Sequence, residues 1–119
     1  MDTVRIVDRT TGKELASRAV VARGVLARLL GLLGRSGLSP GEGMVFRPCK
    51  GIHTLGMRFP IDVLYLDGKG IVLKALPGFP PMRLGPYLRR AQVVVELPLG
   101  AIAGAGTAPG HRIELEERR

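Results

Sequence analysis

The sequence predicts a mostly β fold: a small barrel-like or rolled antiparallel or mixed sheet with one short helix over 24–34. Short apolar runs alternate with glycine- and proline-rich turns along most of the chain. Two such runs flank Asp67-Gly68, a strong short-range hairpin signal. Only one stretch repeats its leucines at helical spacing, at Leu26, Leu29, Leu30 and Leu33. Rolling the sheet is the simplest way to protect its edges.

The elements follow in order. Thr3 to Val7 alternates polar and apolar and reads as the first strand. Thr10-Thr11-Gly12 turns the chain, and Leu15 to Ala22 pairs back. The leucine stripe of 24–34 forms one helical face, closed by Gly34 and Gly37. At about three turns, that helix needs packing on the rest of the chain to be stable. Leu38 to Gly43 is loop chemistry, and Met44-Val45-Phe46 is a short strand ending before Pro48. Pro60 to Leu66 and Ile71 to Leu76 form the hairpin around Asp67 to Gly70. Pro77 to Arg90 holds four prolines and two glycines and reads as a long covering loop. Val93 to Leu97 is a buried strand stopped by Pro98. Gly100 to Ala108 is a small, glycine-rich connection, and Arg112 to Leu115 is the last strand. Residues 116–119 are expected to fray.

Length and composition set the bounds. A chain of 119 residues is expected to be one domain over 1–119, large enough for one core. Hydrophobic residues are 45% and charged ones 24%, an ordinary globular balance. One cysteine excludes a disulfide framework and a multi-thiolate zinc site within the chain. No apolar run approaches the ~20 residues needed to span a bilayer. Met1-Asp2-Thr3-Val4-Arg5 lacks the basic start and apolar core of a signal peptide, so a cytoplasmic location is expected.

The formal net charge of +8 attracts polyanions. The cations are nevertheless scattered from Arg5 to Arg119, and aromatics are only 4%. With no basic run beyond Arg89-Arg90 or Arg118-Arg119 and no stacking platform, specific nucleic-acid binding ranks below a solvated basic surface.

The most distinctive string runs from Cys49 through His53, Thr54, Met57, Pro60, Ile61 and Asp62 to Asp67. Together with Gly70-Ile71-Val72 and Val95 to Gly100, it resembles the signature of domain-of-unknown-function family 192, small prokaryotic proteins. The resemblance covers about residues 20–115. It implies a compact, mostly β fold and carries no enzymatic activity with it. Many members begin with an export or lipoprotein leader. This chain departs from the family pattern at Ile52-His53-Thr54, where Trp-Met-Lys-Asn-Thr is common, and at Gly110-His111, where Gly-Asp is common.

Cys49 and His53 could form a thiolate–imidazole pair. Pro48 and Gly51 oppose a helix there, and on a strand the two would lie about 13 Å apart. Only a turn at Lys50-Gly51 would join them, and a buried thiol beside a hydrogen-bonded histidine ranks higher. A metal site would need His53, His111 and a carboxylate to converge from distant segments. No ligand spacing supports it, so no metal or cofactor is expected. Asp62 shares a strand face with Leu64 and Leu66, and a carboxylate there must be satisfied locally. Loop backbone, Thr54 and Arg58 are its expected partners. Glu96, set among valines, invites pairing with an arginine across the sheet.

These residues support a non-enzymatic ligand- or protein-binding module, with Cys49, His53, Thr54, Arg58 and Asp62 as the candidate ligand-binding set and no catalytic residues assigned. The alternatives are an enzyme using a His53/Asp62 acid–base pair and a basic binder of nucleic acid or anionic surfaces.

Overall fold

A computed structural model describes residues 3–22 and 37–117. Strands β1 (Thr3–Asp8), β2 (Lys13–Ala22), β3 (Glu42–Phe46), β4 (Ile61–Leu66), β5 (Val72–Phe79), β6 (Val93–Leu97) and β7 (Ile113–Glu117) form one sheet. Its order is β5-β4-β6-β3-β2-β1-β7. A short helix, α1 (Ala101–Ala105), joins β6 to the last strand. The protein is therefore mostly β, as its sequence predicts. The expected helix over 24–34 lies outside the described residues.

Only β2 and β3 pair in parallel; every other neighbour is antiparallel. The sheet curls into a half-barrel, and each face has its own core. The concave core draws on every strand, with Ile6, Leu15, Val45, Leu64, Val95 and Ile113 among its members, and Ile102 of α1 plugs it. The convex core lies over β2 to β6, with Met44, Phe46, Ile61, Val63, Tyr65 and Val94. Cys49, Ile52, Met57 and Phe59 cover that side. β4 is consequently buried at all six positions. Its period of two sends Asp62, Leu64 and Leu66 to the concave side and Ile61, Val63 and Tyr65 to the convex side.

The outer strands β5 and β7 meet at one corner. Val72 N–H donates to His111 O at 2.9 Å, and Ile113 N–H donates to Gly70 O at 2.8 Å. Gly70 has a φ of +83°, and a Cβ on it would sit 2.5 Å from Ile113 O. Left-handed backbone and close approach both demand glycine here. Gly70→Ala should therefore cost about 2 kcal/mol or more. Denaturant unfolding checks this; a loss under about 0.5 kcal/mol would mean that the corner adapts freely.

β2 and β3 each begin two residues before the expected positions, at Lys13 and Glu42, and three boundaries differ in kind. β5 continues through Pro77 to Phe79, where a loop was expected from residue 77. An edge strand tolerates proline, and a bulge places Pro77 and Gly78 opposite Asp62. Within the glycine-rich 100–108 stretch lies α1, bounded by Gly100 and Gly106, both with positive φ. Glu116 and Glu117 belong to β7 rather than to a frayed tail, because β7 pairs along β1 as far as Val4↔Glu117.

Candidate binding surface

Asp62 is almost fully buried, and both of its oxygens are occupied. Oδ1 accepts from Gly78 N–H at 2.9 Å; Oδ2 accepts from Ile102 N–H at 2.9 Å and Gly100 N–H at 3.2 Å. Gly100 is the N-cap of α1 and has no side chain with which to cap it. Asp62 supplies the capping oxygen from across the fold. Backbone does satisfy this carboxylate, but the donors belong to the β5 bulge and the start of α1 rather than to loops, and Thr54 and Arg58 are not its hydrogen-bond partners.

The covering segment forms a second unit. Residues 50–54 run against 83–88 through irregular antiparallel pairing. Thr54 N–H donates to Arg83 O at 2.8 Å, Gly85 N–H to Ile52 O at 2.9 Å and Leu88 N–H to Lys50 O at 2.8 Å. His53 and Leu84 form a backbone bridge. Thr54, fully buried, donates its hydroxyl to Pro80 O at 2.8 Å and accepts from Arg83 N–H at 3.0 Å. Lys50 Nζ holds Arg89 O and Ala91 O, both at 2.9 Å. The long 77–90 segment is thus fastened to 49–57 by its backbone, which makes a rigid platform.

The candidate residues accordingly divide. Cys49 and Thr54 lie in the buried layer over the convex face, His53 and Arg58 are exposed on its outside, and Asp62 is turned to the concave face. Asp62 shares the face of Leu64 and Leu66, whereas Ile52 and Met57 beside His53 and Thr54 pack on the other face, and no hydrogen bond joins Asp62 to His53, Thr54 or Arg58. The acid–base pair of the enzymatic alternative therefore has no direct hydrogen bond, since the Asp62 oxygens bond amides of Gly78, Gly100 and Ile102. Cys49 is buried and its thiol donates to Gly51 O at 2.9 Å, which fits a structural thiol. Nearby Tyr65 donates its hydroxyl to Pro86 O at 2.7 Å. Burial, then Cys49 and Glu96, push the Tyr65 hydroxyl up to about 12, keeping it a neutral donor. Glu96 is buried on that same side, its neighbours across the sheet being Met44 and Val63. Among the described residues no group of three His, Cys, Asp or Glu is placed to hold a metal.

The outside of the platform is unusually apolar. Leu84 is 76% exposed, Tyr87 72%, Met82 56% and Leu55 45%. Among the described residues, Leu99 is the other large hydrophobic side chain so exposed. Met82 also has a φ of +59°, a strained value for a side chain of its size. Segments 47–60 and 77–92 contain Arg47, Lys50, Arg58, Arg83, Arg89 and Arg90 but no Asp or Glu.

A polar cluster that sequence reasoning missed closes the β1 end. Asp8 is buried; its Oδ1 accepts from Thr10 N–H at 2.8 Å and Thr11 N–H at 3.2 Å. Its Oδ2 accepts from the Thr107 hydroxyl at 2.8 Å and meets His111 Nδ1 at 2.9 Å. Burial pushes this carboxyl up, and bonds from His111, Thr107, Thr11 and Thr10 outweigh it and hold it below its ordinary 3.8. The signal was the Asp8-Arg9-Thr10-Thr11 turn, whose side chain reaches its own next amides. Beside it, Arg5 pairs with Glu14 and Glu116, and Arg9 with Glu114 and Glu116.

Comparison with known proteins agrees with this architecture. A crystal structure of a protein from Sinorhizobium meliloti 1021, described as a "putative transcription regulator", is 22% identical with a TM-score of 0.80. That likeness covers 96% of this chain and 92% of the other. A protein of unknown function from Novosphingobium aromaticivorans DSM 12444 is 23% identical with a TM-score of 0.79, over 94% and 83% of the two chains. At these identities the likeness is one of fold. No curated protein matches the sequence. The model of the family DUF192, described as "Uncharacterized ACR", matches residues 6–115. With that match spanning nearly all of the half-barrel and its platform, the chain belongs to domain-of-unknown-function family 192.

Proposed function

We propose that this protein is a non-enzymatic binding module that captures an acidic protein segment carrying apolar anchors, on the platform formed by 52–57 and 82–87. The observation that carries this reading is the exposure of Leu55, Met82, Leu84 and Tyr87 together on two segments pinned to each other. A rigid backbone beneath the patch lowers the ordering cost of binding. Covering a side chain such as Leu84 or Tyr87 contributes about 1.5–3 kcal/mol. The excess of arginine over carboxylate in the surrounding segments selects an acidic partner and speeds its encounter.

Fluorescence anisotropy with synthetic peptides tests the reading. Acidic peptides with leucine or phenylalanine anchors should bind, and lysine-for-glutamate versions should not. Leu84→Ser with Tyr87→Ser should weaken binding by about tenfold or more while shifting stability by less than about 1 kcal/mol, both sites being exposed. Met82→Gly should relieve backbone strain while removing the sulfur that accepts from Gly56 N–H at 3.1 Å, so it should melt close to wild type and still lose affinity. Equal binding by wild type and the double variant would overturn the proposal. Mixed-sequence duplex DNA serves as a further probe, because the Sinorhizobium meliloti neighbour is described as a "putative transcription regulator". Tight DNA binding that survives Leu84→Ser, with no peptide binding, would replace a protein partner by nucleic acid.

A further inference from the structure

We infer that the groove between the Asp67–Gly70 turn and the Arg89–Gln92 turn is a binding site for the di- or triphosphate group of a small molecule. It lies at the far end of the β4–β6 pair and has a volume of about 870 Å³. That volume is in the range of small-ligand pockets, which run to about 1,000 Å³. Arg47, Lys69 and Arg90 line it, and a smaller annex of about 240 Å³ sharing Arg47 and Lys69 adds Arg112.

Asp67 lies within electrostatic reach of Lys69 and Arg90, and Glu114 of Arg112, but no carboxylate among the described residues is in direct contact with these cations. None of the four heads is hydrogen-bonded to or ion-paired with another described residue, whereas Arg5 and Arg9 are each paired with two carboxylates. Two carboxylates line the combined space, and both are engaged. Glu114 pairs with Arg9 at 2.6 Å. Asp67 Oδ1 accepts from Lys69 N–H at 2.8 Å and Ile71 N–H at 3.0 Å, closing the turn. An open groove lined by several cations with no carboxylate in direct contact favours a compact polyanion, since several donors can meet one phosphate chain. The floor is rigid: Leu66 pairs with Val93, and Gln92 N–H donates to Leu66 O at 2.8 Å. Pro48 and Val93 provide an apolar wall for the carbon skeleton of a phosphate ester.

Calorimetric titration with inorganic triphosphate, at about 0.15 M salt to suppress diffuse attraction, tests the site. Wild type should bind one equivalent, and Lys69→Gln with Arg90→Gln should weaken binding by about tenfold or more. Lys13→Gln with Lys74→Gln removes the same charge elsewhere on the surface and should change affinity by less than about twofold. Asp67→Asn keeps an oxygen for the two turn amides and deletes a negative charge, so it should tighten binding. Equal losses in the two double variants would reduce the effect to net charge and overturn the inference; so would no binding by wild type. A nucleoside triphosphate binding more tightly than inorganic triphosphate would identify an organic ester as the ligand, and equal affinity would identify free polyphosphate. Leu84→Ser should leave triphosphate binding unchanged, which separates this site from the platform.

Discussion

Asp62→Ala is expected to lower the unfolding free energy by about 2–4 kcal/mol, a large share of the roughly 5–15 kcal/mol typical of small folded proteins. The loss comes from three backbone amides that lose their acceptor: that of Ile102 is buried, while those of Gly78 and Gly100 belong to exposed residues and can turn in part to water. Those amides belong to the β5 bulge and the start of α1, so both elements lose their anchor together. Asp62→Asn refines the test. An amide side chain offers one oxygen and one NH₂, so it can serve either the bulge or the helix end, not both. Its cost should be intermediate, about 1.5–3 kcal/mol. Denaturant unfolding followed by far-ultraviolet circular dichroism measures both. If Asp62→Ala unfolds within about 0.5 kcal/mol of wild type, the carboxylate is not what holds α1 to the sheet.

The second large effect belongs to Asp8. Asp8→Asn should cost about 2–3 kcal/mol at neutral pH, because charge-assisted bonds to His111 and Thr107 become neutral or are lost. The pH dependence is the sharper signature. A carboxyl held below its ordinary 3.8 when folded contributes stability that is complete above the unfolded value. That contribution disappears as the pH falls through the folded value. Wild type should therefore lose melting temperature as acid takes the pH from the unfolded value down through the folded one, and Asp8→Asn should lose less over the same window. Parallel curves for the two proteins would rule out Asp8 as a source of acid sensitivity.

How much could be read from residue order depended on where the partners lay. The hairpin around Asp67-Gly68 was legible because its strands and turn are contiguous. A carboxylate between apolar strand residues likewise announced that Asp62 must be satisfied. Its donors were not legible, since any residue but proline carries a backbone N–H and composition cannot mark which three will converge. α1 escaped because five residues bounded by glycines show no periodicity. The covering role of 77–90 was legible from its length and prolines, but its pairing with 50–54 was not, because the two segments join through main-chain groups in stretches without strand patterning. Whether Asp62 shares a face of the sheet with His53, Thr54 and Arg58 was not legible either. A strand's period of two puts a side chain on one face, and only the folded sheet reveals that the corner containing His53 packs against the other. Asp8 and His111 lie at opposite ends of the chain, where nothing local links them.

The pairing of β1 with β7 has a consequence for synthesis. A polypeptide leaves the ribosome amino end first, so the outer border of Thr3–Asp8 emerges long before Ile113–Glu117 can dock on it. Until then a nascent chain exposes an open β border, the kind of surface that recruits stray strands. Completion of the sheet is for this reason a late event, and Arg5 and Arg9, which await Glu116 from the incoming strand, keep that border charged in the interval.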